Sequence, residues 1–163
     1  MARRDPYKGF KFRIKWNGKY VAALQRMSAL RRTTDVIDWR EGSITLGRDA
    51  SSTRKLPGLT HYHPITLEAG ITCDPTFEEW ANLVSDFSQQ GKTNLRNFRK
   101  DLAIDLLDEE DRLVKRYLVY RAWVSEYVAL DDLDSNVSRI AITKITIENE
   151  GWERDRSVSP PEE

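Results

Sequence analysis

Residues 113–128 read LVKRYLVYRAWVSEYV, and the fold turns on this stretch. With the residues that follow, up to Asn149, it predicts two long strands joined by an acidic turn. Successive side chains on a strand point to opposite faces. One face of the first strand carries Val114, Leu118, Tyr120, Ala122, Val124 and Val128, interrupted by Arg116 and Glu126. The other carries Leu113, Tyr117, Val119, Trp123 and Tyr127, interrupted by Lys115 and Arg121. A sheet with one wet face alternates cleanly between apolar and polar residues. This strand is apolar on both faces, which predicts that its second face also meets something, a helix or another copy of the chain.

The flanking segments repeat the strand signal. Phe98, Leu102, Ile104 and Leu106 alternate with Arg99, Asp101 and Asp105, and Asp108–Asp111 makes an acidic turn. Near the start, Phe10, Phe12, Ile14 and Trp16 share one face while Lys11, Arg13 and Lys15 share the other, as in a half-buried strand. Asn17-Gly18 then marks a tight hairpin, because a type I′ turn needs positive φ at both central residues. The return strand is expected from Lys19 to about Leu30. Ile65, Leu67, Ala69 and Ile71 continue the pattern after Pro64, a residue suited to a strand start. From Val137 to Asn149 the phase changes: Ile140 and Ile142 face one way, Ile145 and Ile147 the other. That predicts a β-bulge near Thr143-Lys144, or a strand passing between two sheets.

A single helix is expected over 75–90. Asp74 can cap it, Pro75 suits its first turn, and Glu78 and Glu79 lie near the positive end of its dipole. Phe77, Trp80, Ala81, Val84 and Phe87 form one apolar stripe that ends before Gly91. One amphipathic helix cannot make a bundle, so it must cover a sheet or plug a barrel mouth. Residues 33–60 are long, polar and turn-rich, with Glu41-Gly42, Gly47 and Pro57-Gly58, yet they hold Val36, Ile37, Trp39, Ile44 and Leu46. Long unstructured loops are uncommon in compact domains and tend to be functional. We read this segment as an extended arm, in the form of a loose hairpin, whose apolar residues a neighbouring subunit covers. A flap folded onto its own domain is the alternative. The expected fold is mainly β, with one domain over 1–155 and a flexible polar tail over 156–163.

Composition bounds the function. The 163 residues carry 39% hydrophobic and 32% charged residues with a formal net charge of zero. No apolar run approaches the ~20 residues of a membrane span, so no membrane anchor is expected. The start, MARRDPYKG, has no apolar segment behind its basic residues, so no signal peptide is expected and synthesis is assigned to the cytoplasm. Cys73 is the one cysteine and reads as a buried, inert thiol. Charge is uneven: residues 1–32 hold ten Lys/Arg against Asp5, and residues 101–136 hold ten Asp/Glu against four Lys/Arg. The basic start suits nucleic acid, or an acidic stretch on the next subunit.

Chemistry-bearing motifs are sparse. His61 and His63 share a strand face, but a zinc site needs further ligands that nothing places. Asp132, Asp134 and Asn136 resemble the start of a calcium loop, yet Val137 stands where that loop needs Gly and Thr143 where it needs Glu. There is no nucleophile elbow or phosphate-binding Gly loop. Neither a cofactor, a metal nor an enzyme is expected.

Four segments carry a resemblance: DPYKGFKFRIKWNGKYVAAL with the following SALRRTT, YHPITLEAGITCDPTFEEWAN, NFRKDLAIDLL, and YRAWVSEYVALDDLDSNVSRIAITKITIENEGWERD. Together they cover about residues 5–155 and resemble the tail-tube proteins of contractile injection machines: contractile phage tails, R-type bacteriocins and extracellular phage-tail-like injection particles. The resemblance implies a small antiparallel β-barrel or sandwich with one flanking helix. It implies hexameric rings stacked into a hollow tube within a contractile sheath, with baseplate and tube-capping proteins as partners and a lumen that passes or holds protein cargo. Candidate subunit-contact residues are Arg31, Arg32, Ile37, Trp39, Ile44, Leu46, Tyr117, Trp123, Tyr127, Asp131 and Asp132. Two other classes stay open at this point. One is a nucleic-acid-binding module using Lys11, Arg13 and Lys15. The other is a monomeric sugar- or protein-binding sandwich.

Overall fold

The computed structural model describes residues 6–9, 11–21, 23–40, 53–90 and 98–161. Its strands are β1 (Phe12–Trp16), β2 (Lys19–Tyr20), β3 (Leu24–Met27), β4 (Arg32–Arg40), β5 (Thr53–Tyr62), β6 (Ile65–Gly70), β7 (Lys100–Leu107), β8 (Leu113–Val128), β9 (Ile142–Glu148) and β10 (Gly151–Arg154). One helix, α1 (Thr76–Gln90), lies between β6 and β7. The chain divides into two compact units, residues 1–29 with 64–163, and residues 30–63.

In the larger unit every pairing is antiparallel, in the order β2-β1-β7-β8-β9-β6-β3, with β10 also on β8. Among the described residues this path is open, so of the barrel or sandwich that the resemblance implied a closed barrel is not formed; the fold is mainly β with one helix, as expected. The long β8 is its spine. Its first half pairs with β7 on one edge and β10 on the other, and its second half pairs with β9.

Three bulges explain why β8 reads as apolar on both faces. The register slips at Val114, again around Arg121, and again at Ser125. Each extra residue reverses which parity faces inward. Val114, Val119, Ala122 and Val124 are accordingly the buried residues of β8, drawn from both sequence faces. Arg121 takes a positive φ of 49°, and the Asp101 carboxylate accepts its amide N–H at 2.9 Å. The Asp101 side chain thus satisfies the bulge.

The slip expected near Thr143-Lys144 is absent. β6 and β9 stay in unbroken register from Gly70↔Ile142 to Ile65↔Ile147. The bulges belong to the partner strand, and Ile140 lies before β9 with 65% of its surface exposed. The hairpin at Asn17-Gly18 forms as the sequence demands, with φ values of 49° and 76°. Its return strand is shorter than expected. After Tyr20 the chain turns at Ala23, also at positive φ, and β3 pairs with β6.

The helix starts as anticipated: the Asp74 carboxylate accepts the Thr76 amide at 3.0 Å. Phe77, Trp80 and Ala81 are buried and Val84 is half-buried. Trp80 is fully enclosed. Its ring lies 4.7 Å from that of Trp16, and its indole N–H donates to the Phe98 carbonyl at 2.8 Å. The polar handle of a buried indole is therefore satisfied. Cys73, expected to be buried, is exposed, because it stands in the turn that delivers the cap.

One ion pair is built into this unit. Asp105 is 2% exposed; the Arg116 guanidinium donates to both its oxygens at 2.6 and 2.9 Å, and the Tyr20 hydroxyl reaches it at 3.3 Å. Acidic residues of the 108–111 turn meet basic residues of the chain start: Lys8 pairs with Glu109 at 2.7 Å and Lys11 with Asp111 at 3.1 Å.

The smaller unit is an antiparallel hairpin of β4 and β5. Pro57-Gly58, expected as a turn, lies inside β5 at a register shift opposite Thr34/Val36. A Cβ at Gly58 would stand 3.2 Å from atoms of Asp35, so glycine permits the close approach of the two strands at this bulge. His61 pairs with Asp35 at 3.0 Å, and His63 contacts the Thr33 hydroxyl at 2.9 Å.

Removing one partner of a buried pair leaves a stranded charge. Arg116→Met is expected to destabilise the monomer by about 3 kcal/mol, and Asp105→Asn, which keeps an acceptor for Arg116 and Tyr20, by less. Urea unfolding midpoints of the two variants check the order.

Candidate assembly surfaces

Two regions display large apolar side chains to solvent. On the hairpin, Val36, Ile37, Trp39, Leu56 and Leu59 are exposed, and the bulge at Gly58 leaves Leu59 73% exposed. On the larger unit, Leu130, Leu133, Val137 and Ile140 are exposed in the loop between β8 and β9, with Ile71 exposed after β6. Isolated exposed apolar residues are ordinary, but contiguous sets mark interaction sites.

The second region borders a cleft of about 280 Å³, walled by Ala69, Gly70, Ile71, Phe77, Tyr127 and Thr143 among others. The Ile140 side chain would lie 3.5 Å from a Cβ at Gly70, so the exposed loop and the cleft are continuous. Asp74 and Glu78 from the start of α1 also line it. The adjoining loop is held in shape by its own contacts. The Asp131 amide donates to the Ile142 carbonyl at 3.1 Å, its carboxylate pairs with Lys144 at 3.2 Å, and Arg139 donates to the Asp132 carbonyl at 2.9 Å. The Asp132 amide, then Lys144, holds the Asp131 carboxyl below its ordinary pKa.

The candidate residues fall into three groups. Arg31, Arg32, Ile37 and Trp39 are exposed in the hairpin unit, and Asp132 is exposed in the 130–140 loop. Tyr117, Trp123, Tyr127 and Asp131 are half-buried: Tyr117 lies edge-on to Trp152 at 6.1 Å, Trp123 edge-on to Phe98 at 6.4 Å, and Tyr127 lines the cleft. Ile44 and Leu46 lie outside the described residues. Leu56, Leu59, Leu133 and Ile140 are absent from the candidates. Leu59 was hidden by reading Pro57-Gly58 as a turn, and Ile140 by assigning it to a strand.

The basic strand face has partners within the chain. Lys11 is tied to the acidic turn, while Arg13 and Lys15 lie 5.7 and 5.6 Å from the centre of the Tyr20 ring. No group of three or more metal-ligating side chains occurs among the described residues. No helix among them is long and apolar enough to cross a membrane.

Residues 8–153 match the family described as T4-like virus tail tube protein gp19. The chain belongs to this tail tube family. Membership makes it a structural tail tube protein and not an enzyme. No curated protein matches it. Among solved structures, a chain from the sheath–tube complex of an extracellular contractile injection system (PVC) in the extended state is 19% identical, with a TM-score of 0.74 over 93% of each chain. A chain from the tube-terminating cap of the anti-feeding prophage is 21% identical, with a TM-score of 0.75 over 95% of this chain and 94% of that one. A chain from the six-fold symmetrised baseplate of the anti-feeding prophage is 19% identical, with a TM-score of 0.71 over 93% and 97%. These likenesses extend the tail tube fold over nearly the whole chain.

Exposure separates packing from assembly. Leu59→Ser and Leu133→Ser are expected to leave monomer stability within about 0.5 kcal/mol, whereas Trp80→Ala costs about 3–5 kcal/mol. Thermal unfolding measures both. The lowered pKa of Asp131 means its contribution is present above the ordinary carboxylate value and is lost as pH falls through the lowered one. Protection factors of the 130–140 loop amides, taken against the intrinsic exchange rate at each pH, should therefore fall on acidification below about pH 4, and Asp131→Asn should flatten that dependence.

Proposed function

We propose that this structural tube subunit forms hexameric rings that stack into a hollow tube inside a contractile sheath. The tube starts on a baseplate, ends at a capping protein, and carries or passes protein cargo through its lumen when the sheath contracts. The assembled particle is phage-tail-like and acts outside the cell that makes it. The family match over residues 8–153 carries this reading. Fold likeness to chains from a sheath–tube complex, a tube cap and a six-fold symmetrised baseplate supports the partners and the ring size. Six copies about an axis make head-to-tail contacts that close, and ring-on-ring contacts then repeat into a filament.

The protomer has features that such an assembly would satisfy. The larger unit has open edges at β2 and β3, and unpaired edges are a liability unless paired or covered. The hairpin holds too little apolar surface for a core of its own, yet it presents five large apolar residues to solvent. We assign residues 30–63 to contact between copies, with Arg31 and Arg32 as the charged part of that contact.

Negative-stain microscopy of concentrated, purified protein should show six-membered rings and hollow rods. A strictly monomeric species in light scattering and micrographs would overturn the reading. Arg31→Glu with Arg32→Glu should abolish rod growth without lowering monomer stability. Hydrogen exchange at Ile37 and Trp39 should slow on assembly; equal protection in monomer and rod would remove the hairpin from the contact.

A further inference from the structure

The hairpin and the cleft are complementary in both apolarity and charge. The hairpin unit, residues 30–63, has six Lys/Arg against four Asp/Glu, and Arg31, Arg54 and Lys55 are exposed beside its apolar residues. The cleft has the opposite character. Asp74 and Glu78 line it, with no Lys or Arg among the lining residues; the adjoining 130–140 loop adds Asp132 and Asp134, both exposed, beside Arg139, while Asp131 is paired with Lys144. Ile71 lines the cleft and is exposed, Ile140 approaches it at Gly70, and Leu130 and Leu133 are exposed on the same adjoining loop.

We propose that the cleft between the α1 start and the 130–140 loop is the receptor for the β4–β5 hairpin of a second copy. Leu59 and its apolar neighbours sit against Ile71, Leu133 and Ile140, and Arg54 and Lys55 face the acidic rim. This rests on the tube-subunit reading and adds to it the surface that the hairpin meets. Two features of the protomer support the pairing. Leu59, beside the bulge at Gly58, projects as an exposed apolar knob, and the cleft is a concave site of about 280 Å³ whose wall mixes apolar residues such as Ile71 and Phe77 with the acidic Asp74 and Glu78. Apolar contact supplies the affinity and the charged rim fixes the register of one copy on the next. Head-to-tail use of two different surfaces on each copy is also the contact type that propagates instead of stopping at a dimer.

Cys73 provides the probe. It is exposed, and Thr72 and Asp74 on either side of it line the cleft. Leu59→Cys and, separately, Val36→Cys would be made in the full chain and treated, once assembled, with a short bis-maleimide. A ladder of covalently joined subunits from either variant, abolished by Cys73→Ser, is expected. Rods that yield no ladder from either variant would overturn the docking while leaving the tube reading intact. A ladder that survives Cys73→Ser would show hairpin-to-hairpin contact, and a link confined to single chains would show the hairpin on its own body; both overturn it. Failure of the unaltered protein to form rods would instead count against the tube reading itself. A charge exchange gives an independent measure. Asp132→Arg should raise the concentration needed for assembly by about tenfold, and adding Arg54→Asp with Lys55→Asp should bring it back. A triple variant no better than Asp132→Arg alone would overturn the charge pairing.

Discussion

The structure depends on one strand serving two sets of partners. Strand β8 is long enough to pair with β7 and β10 at one end and β9 at the other, and a straight ladder could not do this while keeping apolar residues inward. The three bulges solve the problem locally. Each adds one residue, turns the strand, and resets which side chains point to the core. The cost is an unpaired amide at each irregularity. At Arg121 the Asp101 carboxylate takes up that amide, and at Ser125 the hydroxyl donates to the Thr146 carbonyl. The helix is then seated by Trp80, which fills the space beside Trp16 and ties itself to the Phe98 backbone.

The same arrangement separates what holds the subunit together from what it displays. The buried carboxylates are paired inside the chain, Asp105 with Arg116 and Asp108 with Arg112, and at the surface the chain start pairs with the acidic turn and Asp131 with Lys144. Exposed apolar residues fall instead on the hairpin and on the rim of the cleft. A subunit that closed these surfaces on itself would be a finished monomer. This one keeps them available, as a member of a tube family would.

Much of this was legible in the sequence. The Asn17-Gly18 hairpin, the helix start at Asp74, and the alternating strands around Ile14, Leu67 and Ile104 follow from local rules that the tertiary structure respects. The double apolar face of 113–128 is legible in the sequence, but the three bulges within it are not. Strict alternation cannot report an inserted residue, so the three changes of parity are invisible to it. The phase change near Thr143 carries the same ambiguity, because a pairing slip belongs to two strands and the extra residue lies on β8. Long-range partners leave no local trace: nothing near Asp105 in sequence announces that Arg116 and Tyr20 will enclose it. Cys73 was assigned by residue type, which turn geometry overrode. The hairpin's apolar content was recognised, but its most prominent residue, Leu59, lay behind a Pro-Gly pair that signals a turn in most contexts and a bulge here.

The placement of the five tryptophans has an optical consequence. Trp16 and Trp80 are enclosed, Trp123 and Trp152 are half-covered, and Trp39 is 45% exposed on the hairpin. The red edge of the intrinsic emission therefore belongs mainly to Trp39, so the molecule carries its own dye on the segment assigned to meeting its neighbours. A quencher dissolved in the buffer would extinguish that indole first, and the fraction still quenchable would report how many subunits remain unassembled, with no label attached.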